Sequence, residues 1–204
     1  MTRAVVVAID GPAGSGKSTV ARALATRLGL DVLDTGSMYR AVTALALREG
    51  LDPHDGDKVA ILAREVDLVV GERVTSLGVD LTDSLRSDEV NRAVSVVAAH
   101  PAVRAALVDR QRSWVEAHRG GVVEGRDIGS VVFPHADVKV FLTASDVERA
   151  RRRADDEHPE SVARRDRLDV GRVASPLRPA DDAHRLDTTG RPVEDVVEEI
   201  LSWL

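Results

Sequence analysis

Apolar residues recur along the chain in two rhythms. Five short runs, Ala4 to Ile9, Val32 to Leu33, Gly121 to Glu124, Val138 to Leu142 and Arg185 to Asp187, read as strands, most of them through their β-branched and aliphatic residues. Between them, apolar positions spaced three and four apart predict helices over Lys17 to Leu28, Ser37 to Arg48, Glu89 to Ala99, Pro101 to His118, Asp146 to Arg153 and Val193 to Leu204. Pro101 suits a first helical turn, Gly29 and Gly50 suit helix stops, and Pro192 stands just ahead of the last amphipathic run. Strands alternating with helices imply an α/β fold, a parallel sheet covered on both faces.

Two stretches interrupt the alternation. From Val66 to Leu81 apolar and polar residues alternate around Gly71 and Gly78, which predicts a small hairpin beside the main sheet. Ala154 to Arg172 is densely charged with both signs and poor in large apolar side chains, so by itself it reads as a solvated excursion.

Composition narrows the function classes. Aromatic residues make up only 2% of the 204 positions and the net charge is −6, so neither base-stacking platforms nor bulk electrostatics favour a nucleic-acid or lipid partner. Without cysteine there is no thiolate zinc site and no thiol nucleophile. No run reaches the 18 or so apolar residues of a membrane span, and the N-terminal apolar run ends at Asp10, so the chain is expected in the cytoplasm. Of the 28 basic residues only Lys17, Lys58 and Lys139 are lysines. Most of that imbalance needs no explanation beyond coding bias, but a guanidinium grips phosphate with two parallel donors where an ammonium cannot.

The chemistry enters with Gly11-Pro12-Ala13-Gly14-Ser15-Gly16-Lys17-Ser18-Thr19. It has the G-x-x-x-x-G-K-[ST] spacing, and it sits between a strand and a helix, where backbone N–H groups can wrap a phosphate at a helix N-terminus. Lys17 would neutralise β- and γ-phosphate charge, and the Ser18 hydroxyl would reach Mg²⁺. No [NT]-K-x-D stands in the chain, which argues against a guanine-reading switch. A kinase needs a second anion site, and single arginines at predicted loop-helix junctions supply candidates: Arg40 in Asp34-Thr35-Gly36-Ser37-Met38-Tyr39-Arg40, Arg126 in Glu124-Gly125-Arg126-Asp127, and Arg165 and Arg172.

With these motifs the sequence resembles the bacterial cytidylate kinases over nearly its whole length. Arg126-Asp127 within Glu124-Gly125-Arg126-Asp127-Ile128-Gly129, and Arg165-Asp166-Arg167-Leu168-Asp169, carry the likeness more specifically than the phosphate loop does. The resemblance implies a five-stranded parallel core over 1–34, 119–153 and 173–204, a monophosphate-binding region over 35–118 with a β insert at 66–81, and a lid over 154–172. It implies ATP with Mg²⁺, CMP and dCMP as substrates, and a monomer. Arg40, Arg126 and Arg172 would hold the CMP phosphate. Ser95, Arg104 and Asp127 would read cytosine, Arg165 and Asp169 would lie near the ribose, Thr35 and Tyr39 near the acceptor, and Arg153, or else Arg149 or Arg152 of the same helix, on the ATP side, with Lys17, Arg126 and Arg172 serving the transfer. Taken alone, Ser95 suits helix packing as well, Arg104 a solvated surface, and Tyr39 the core. One departure stands out, since only Ala154 to Arg164 separate the arginine-rich helix from the R-D-x-x-D segment, fewer residues than the family usually has. The competing readings are a P-loop kinase for another monophosphate or small molecule, and a regulatory ATP-binding protein.

Overall fold

The structure is a computed structural model, and residues 4–71, 73–153 and 177–204 are described. The expected lid at 154–172, with Arg165, Asp169 and Arg172, lies outside them. The chain divides into two units, residues 1–33 with 112–204, and residues 34–111.

The first unit is built on strands β1 (Val5–Asp10), β2 (Val32–Asp34, whose last residue falls in the second unit), β6 (Gly120–Gly125), β7 (Val138–Thr143) and β8 (His184–Asp187), in the spatial order β2-β6-β1-β7-β8. Parallel ladders join β6 to β1, β1 to β7 and β7 to β8. Because strand side chains alternate between faces, Val7 and Ile9, Val122, and Val138, Val140 and Leu142 all turn to one side of the sheet. There they meet Val20, Ala21, Leu24 and Ala25 of helix α1 (Lys17–Leu28) and Val196, Val197 and Ile200 of helix α7 (Val193–Leu201). Ala8 and Val123, on the opposite face, are equally shut off from solvent, as a doubly covered sheet requires. Helix α6 (Asp146–Arg153) follows β7 and has no buried residue.

The second unit holds helices α2 (Thr35–Arg48), α3 (Gly56–Glu65) and α4 (Asp88–Val97), and the first part of α5 (Pro101–His118). Asp34 caps α2 by accepting from the Ser37 N–H at 3.1 Å, and Met38, Ala41, Val42, Leu45 and Ala46 form its buried stripe. Gly50, at φ +71°, closes the end of α2 while the Leu51 N–H reaches back to the Ala46 carbonyl at 2.8 Å.

Two expectations change here. The segment 66–81 is not a hairpin but a three-stranded antiparallel sheet of β3 (Leu68–Val70), β4 (Val74–Ser76) and β5 (Val79–Asp80), since the chain reverses at both glycine-containing turns and each reversal starts a strand. Helix α3 lies in a stretch to which the hydrophobic pattern assigns no element. Its buried side is made by Val59, Ala60 and Ala63, inside the unbroken apolar run Val59 to Ala63, which by itself does not tell a helix from a strand.

Leu24 is fully buried between α1 and the sheet. Leu24→Ala should lower the unfolding free energy by about 2–5 kcal/mol, through lost transfer energy and the cavity left behind. Denaturant titration of the two proteins checks this.

Candidate active site

Strand β1 ends at Asp10, and the chain turns through residues 11–16 into α1. The turn depends on glycine. At Gly11 a Cβ would come within 2.2 Å of the Leu142 carbonyl oxygen, and Gly14, at φ +76°, would press a Cβ to 2.7 Å from the Arg149 carbonyl oxygen. Helix α1 then starts with no side-chain cap and no acidic residue in its first turn, so its positive end is available to an anion.

A phosphate loop serves its ligand through N–H groups, whereas carbonyl oxygens would repel it. Here five consecutive carbonyls of the loop are each engaged by a side-chain donor. The Gly11 oxygen accepts from Arg126 Nη1 at 2.9 Å, Pro12 from Lys17 Nζ at 2.8 Å, and Ala13 from Arg149 Nη1 at 2.9 Å. The Gly14 oxygen accepts from Arg152 Nη1 at 3.4 Å, and the Ser15 oxygen from the Thr188 hydroxyl at 3.0 Å. Four of the five donors are cations, so the negative ends of these peptide dipoles are offset where a polyphosphate would sit. The Ser15 hydroxyl is buried and has no hydrogen-bond partner among the described residues, an orphan that a phosphate oxygen would satisfy.

These donors are themselves held. Glu148 accepts from Arg152 Nε at 2.8 Å, and the hydrogen bonds from Arg151, with Arg152 adding to them, hold its carboxyl down to about 2. Arg152 also donates to the Thr188 hydroxyl and carbonyl, both at 2.9 Å. Arg149 and Arg152 therefore act on the loop itself. Arg153, expected on the ATP side, ends the same helix in a half-buried position.

Arg126 and Asp127 follow β6 and lead into a single π-turn, Ile128–Val132. Asp127 is buried, and its carbonyl accepts the Val131 N–H at 2.9 Å. Asp10 reaches this turn from the end of β1, taking the N–H groups of Ile128 at 2.7 Å and Gly129 at 2.8 Å. Burial pushes the Asp10 carboxyl from 3.8 up to about 6; the two N–H bonds work against that shift, and the nearby Asp127 charge adds to it. A raised value means that the folded chain holds this proton better than the unfolded one does. The stabilisation this provides is complete below pH 3.8 and fades as pH rises through about 6, so at neutral pH ionised Asp10 is held against its burial.

In the second unit, Arg40 Nη1 donates to the Leu85 carbonyl and to Asn91 Oδ1, both at 2.7 Å. Asn91 is oriented in turn by donating to the Arg86 carbonyl at 3.0 Å. Ser95 is buried one helical turn beyond Asn91. Arg104 is 95% shielded from solvent, which removes the surface reading, and its guanidinium lies 5.7 Å from the centre of the Tyr39 ring. Thr35 is buried at the start of α2.

The donor set fits magnesium in one respect. Ser18, half-buried in the first turn of α1, offers a hydroxyl, and among the described residues no group of three or more His, Cys, Asp or Glu side chains is arranged to hold a metal. A single hydroxyl from the chain suits an ion carried mainly by nucleotide phosphates and water. Thr19, next to it, is exposed.

Sequence reasoning missed Thr188 and Asn91. Both are ordinary polar residues whose importance comes from partners 173 and 51 positions away, and no local pattern marks them. Thr188→Val, nearly isosteric, should lower stability by about 1–3 kcal/mol, because Arg152 and the Ser15 carbonyl each lose a partner. The KM for ATP should rise with it, as unfolding curves and steady-state kinetics would register.

The sequence profile of the cytidylate kinase family matches residues 7–204. The chain is 47% identical to a cytidylate kinase of Geobacillus kaustophilus, over 98% of this chain and 96% of that one. It is 48% identical to a bifunctional pantoate ligase/cytidylate kinase of a Synechococcus species, over 98% of this chain, and spans 45% of that relative's length. The first of these alignments runs over 218 positions, more than the 204 residues here, so that relative carries residues with no counterpart in this chain. Among solved structures, a gluconokinase of Sinorhizobium meliloti shares the fold, with a TM-score of 0.54 and 13% identity, over 100% of this chain and 93% of that one. On the family match and the near-complete alignment, the chain belongs to the cytidylate kinase family.

Proposed function

We propose that the chain transfers the γ-phosphoryl group of ATP to the 5′-phosphate of CMP, and of dCMP, by direct in-line attack. A phosphate oxygen of the nucleoside monophosphate bonds to the γ-phosphorus as the bridge to the β-phosphate breaks, and ADP leaves. The acceptor is already anionic at neutral pH, so no general base is required. The difficulty is electrostatic, since two anions must approach, and the transition state spreads its charge over the equatorial oxygens. The observation that carries the reading is the bracing of five successive loop carbonyls by Arg126, Lys17, Arg149, Arg152 and Thr188.

In this reading residues 11–19 and Lys17 hold the ATP phosphates, with Arg153 on the same nucleotide. Magnesium, when bound, would neutralise the β- and γ-phosphate oxygens, with Ser18 as its ligand from the chain. Arg40, Arg126 and Arg172 take the CMP phosphate, Arg165 and Asp169 the ribose. Thr35 and Tyr39 stand by the acceptor, while Ser95, Arg104 and Asp127 take the base. Cytosine offers an N4 amine where uracil has a carbonyl oxygen, so a carboxylate at Asp127 favours cytosine, and Arg104, steadied over Tyr39, can donate to the base's carbonyl and ring nitrogen. No helix among the described residues is long and apolar enough to cross a membrane, and we read the enzyme as a cytoplasmic monomer with no nucleic-acid partner.

A coupled assay of ADP release tests the reading. CMP and dCMP should turn over well ahead of UMP and AMP. Equal turnover of all four would reassign the substrate, and ATP consumption indifferent to CMP would remove the kinase reading. Asp127→Asn should reduce the preference for CMP over UMP by about ten- to a hundredfold while leaving the fold intact. Unchanged selectivity would sink the base-reading role of Asp127.

A further inference from the structure

The buried carboxylate of Asp10 takes no part in the reading above. It sits at the last position of β1, one residue before Gly11, and both of its oxygens are committed, Oδ1 to the Ile128 N–H at 2.7 Å and Oδ2 to the Gly129 N–H at 2.8 Å. Those two amides immediately follow Arg126 and Asp127. The next residue of the loop, Gly11, holds Arg126 from the other direction, its carbonyl accepting from Nη1 at 2.9 Å. Two adjacent residues of the phosphate loop's root are thus fastened by three hydrogen bonds to the turn that carries Arg126 and Asp127. At the far end of the same turn, Arg112 donates from Nε to the Val132 carbonyl at 3.1 Å and from Nη2 to the Val131 carbonyl at 3.3 Å. Arg112 steadies the end of the turn away from the ligand-reading residues. Asp10 steadies the end beside them.

A structural explanation for Asp10 is incomplete. Two backbone N–H groups could be satisfied by neutral acceptors, without a charge in the interior beside the like-charged Asp127. What an ionised carboxylate adds is two equivalent acceptors on one rigid fork, each forming a short charge-assisted bond, and hence a fixed orientation for the peptide that follows Asp127.

We propose that Asp10 is a positioning residue for substrate selection: its carboxylate fixes the Arg126–Asp127 turn against the root of the phosphate loop, so that base recognition and phosphate binding share one register. The inference rests on the reading that Asp127 recognises cytosine. With both of its oxygens committed to the turn, Asp10 acts through Asp127 and Arg126.

The test is Asp10→Asn. The amide keeps the shape and removes the buried charge, but it can accept at only one atom and turns an N–H₂ donor toward the remaining backbone N–H. The KM for CMP should rise about tenfold and the CMP-to-UMP preference fall by a similar factor, the loss expected when one charge-assisted anchor goes. The KM for ATP should change less than twofold, and the melting temperature should hold, because the strained burial of the charge is relieved. A variant with unchanged selectivity, whether or not its melting temperature falls, overturns the proposal. If the variant does not fold, amide hydrogen exchange of the unliganded wild type decides: protection of the Ile128 and Gly129 amides supports the anchor, and free exchange at either overturns it. Asp127→Asn, measured alongside, separates the two ideas. If it leaves selectivity intact, the reading of Asp127 fails; if it lowers selectivity and Asp10→Asn does not, only the positioning role fails.

Discussion

A polyphosphate can be held by main-chain N–H groups only if the carbonyl oxygens of the same peptides are turned away and occupied. Each N–H brings a carbonyl with it, and a loop of five exposed carbonyls would collapse or repel its ligand. In this chain the requirement is met by donors from four places: α1 itself (Lys17), the residue after β6 (Arg126), α6 after β7 (Arg149 and Arg152), and the residue after β8 (Thr188). The strand order explains how they converge. β6 and β7 flank β1 in parallel and β8 lies beyond β7, so the carboxyl ends of all four strands reach one edge of the sheet, where the loop leaves β1.

The charge pattern follows from the same requirement. The chain carries a net charge of −6, yet the first turn of α1 has no acid and guanidinium groups crowd the loop. Arginine suits these positions because one side chain can serve several acceptors. Arg152 meets Glu148, the Gly14 carbonyl and both oxygens of Thr188. An ammonium has no planar fork with which to hold that set at fixed angles. The arginine excess is thus ordinary over most of the chain and structurally particular at a few positions, where the guanidinium groups hold loop carbonyls. In the second unit the same residue type is steadied by different means: Arg40 by Asn91 and the Leu85 carbonyl, and Arg104 by burial over the Tyr39 ring.

Much of the fold could be read from local pattern. The five strands of the main sheet and the ends of α1 and α5 stand where short runs, glycines and Pro101 place them, since unbroken apolar runs suit strands covered on both faces and three- and four-residue apolar spacing suits helices. Helix α3 escaped because its apolar residues stand in one unbroken run, Val59 to Ala63, that suits a strand as well as a helix, and the 66–81 segment because two turns in a short alternating run do not announce three strands. The candidate site divides in the same way. The candidate phosphate loop is contiguous, so its spacing alone singled it out. Asp10, Thr188 and Asn91 contribute through hydrogen bonds to segments distant in sequence, and no local pattern assigns them those partners.

What the sequence by itself determined is therefore the set of local conformations and the chemistry that depends on them: a strand, a glycine turn that no Cβ would permit, and an uncapped helix carrying Lys17 and Ser18. What only the tertiary structure decided is which arginines turn their forks to the loop and which acid holds the Arg126–Asp127 turn. Those outcomes depend on the order of parallel strands, and a strand's neighbours are chosen by the packing of the whole sheet, not by the residues beside it in the chain.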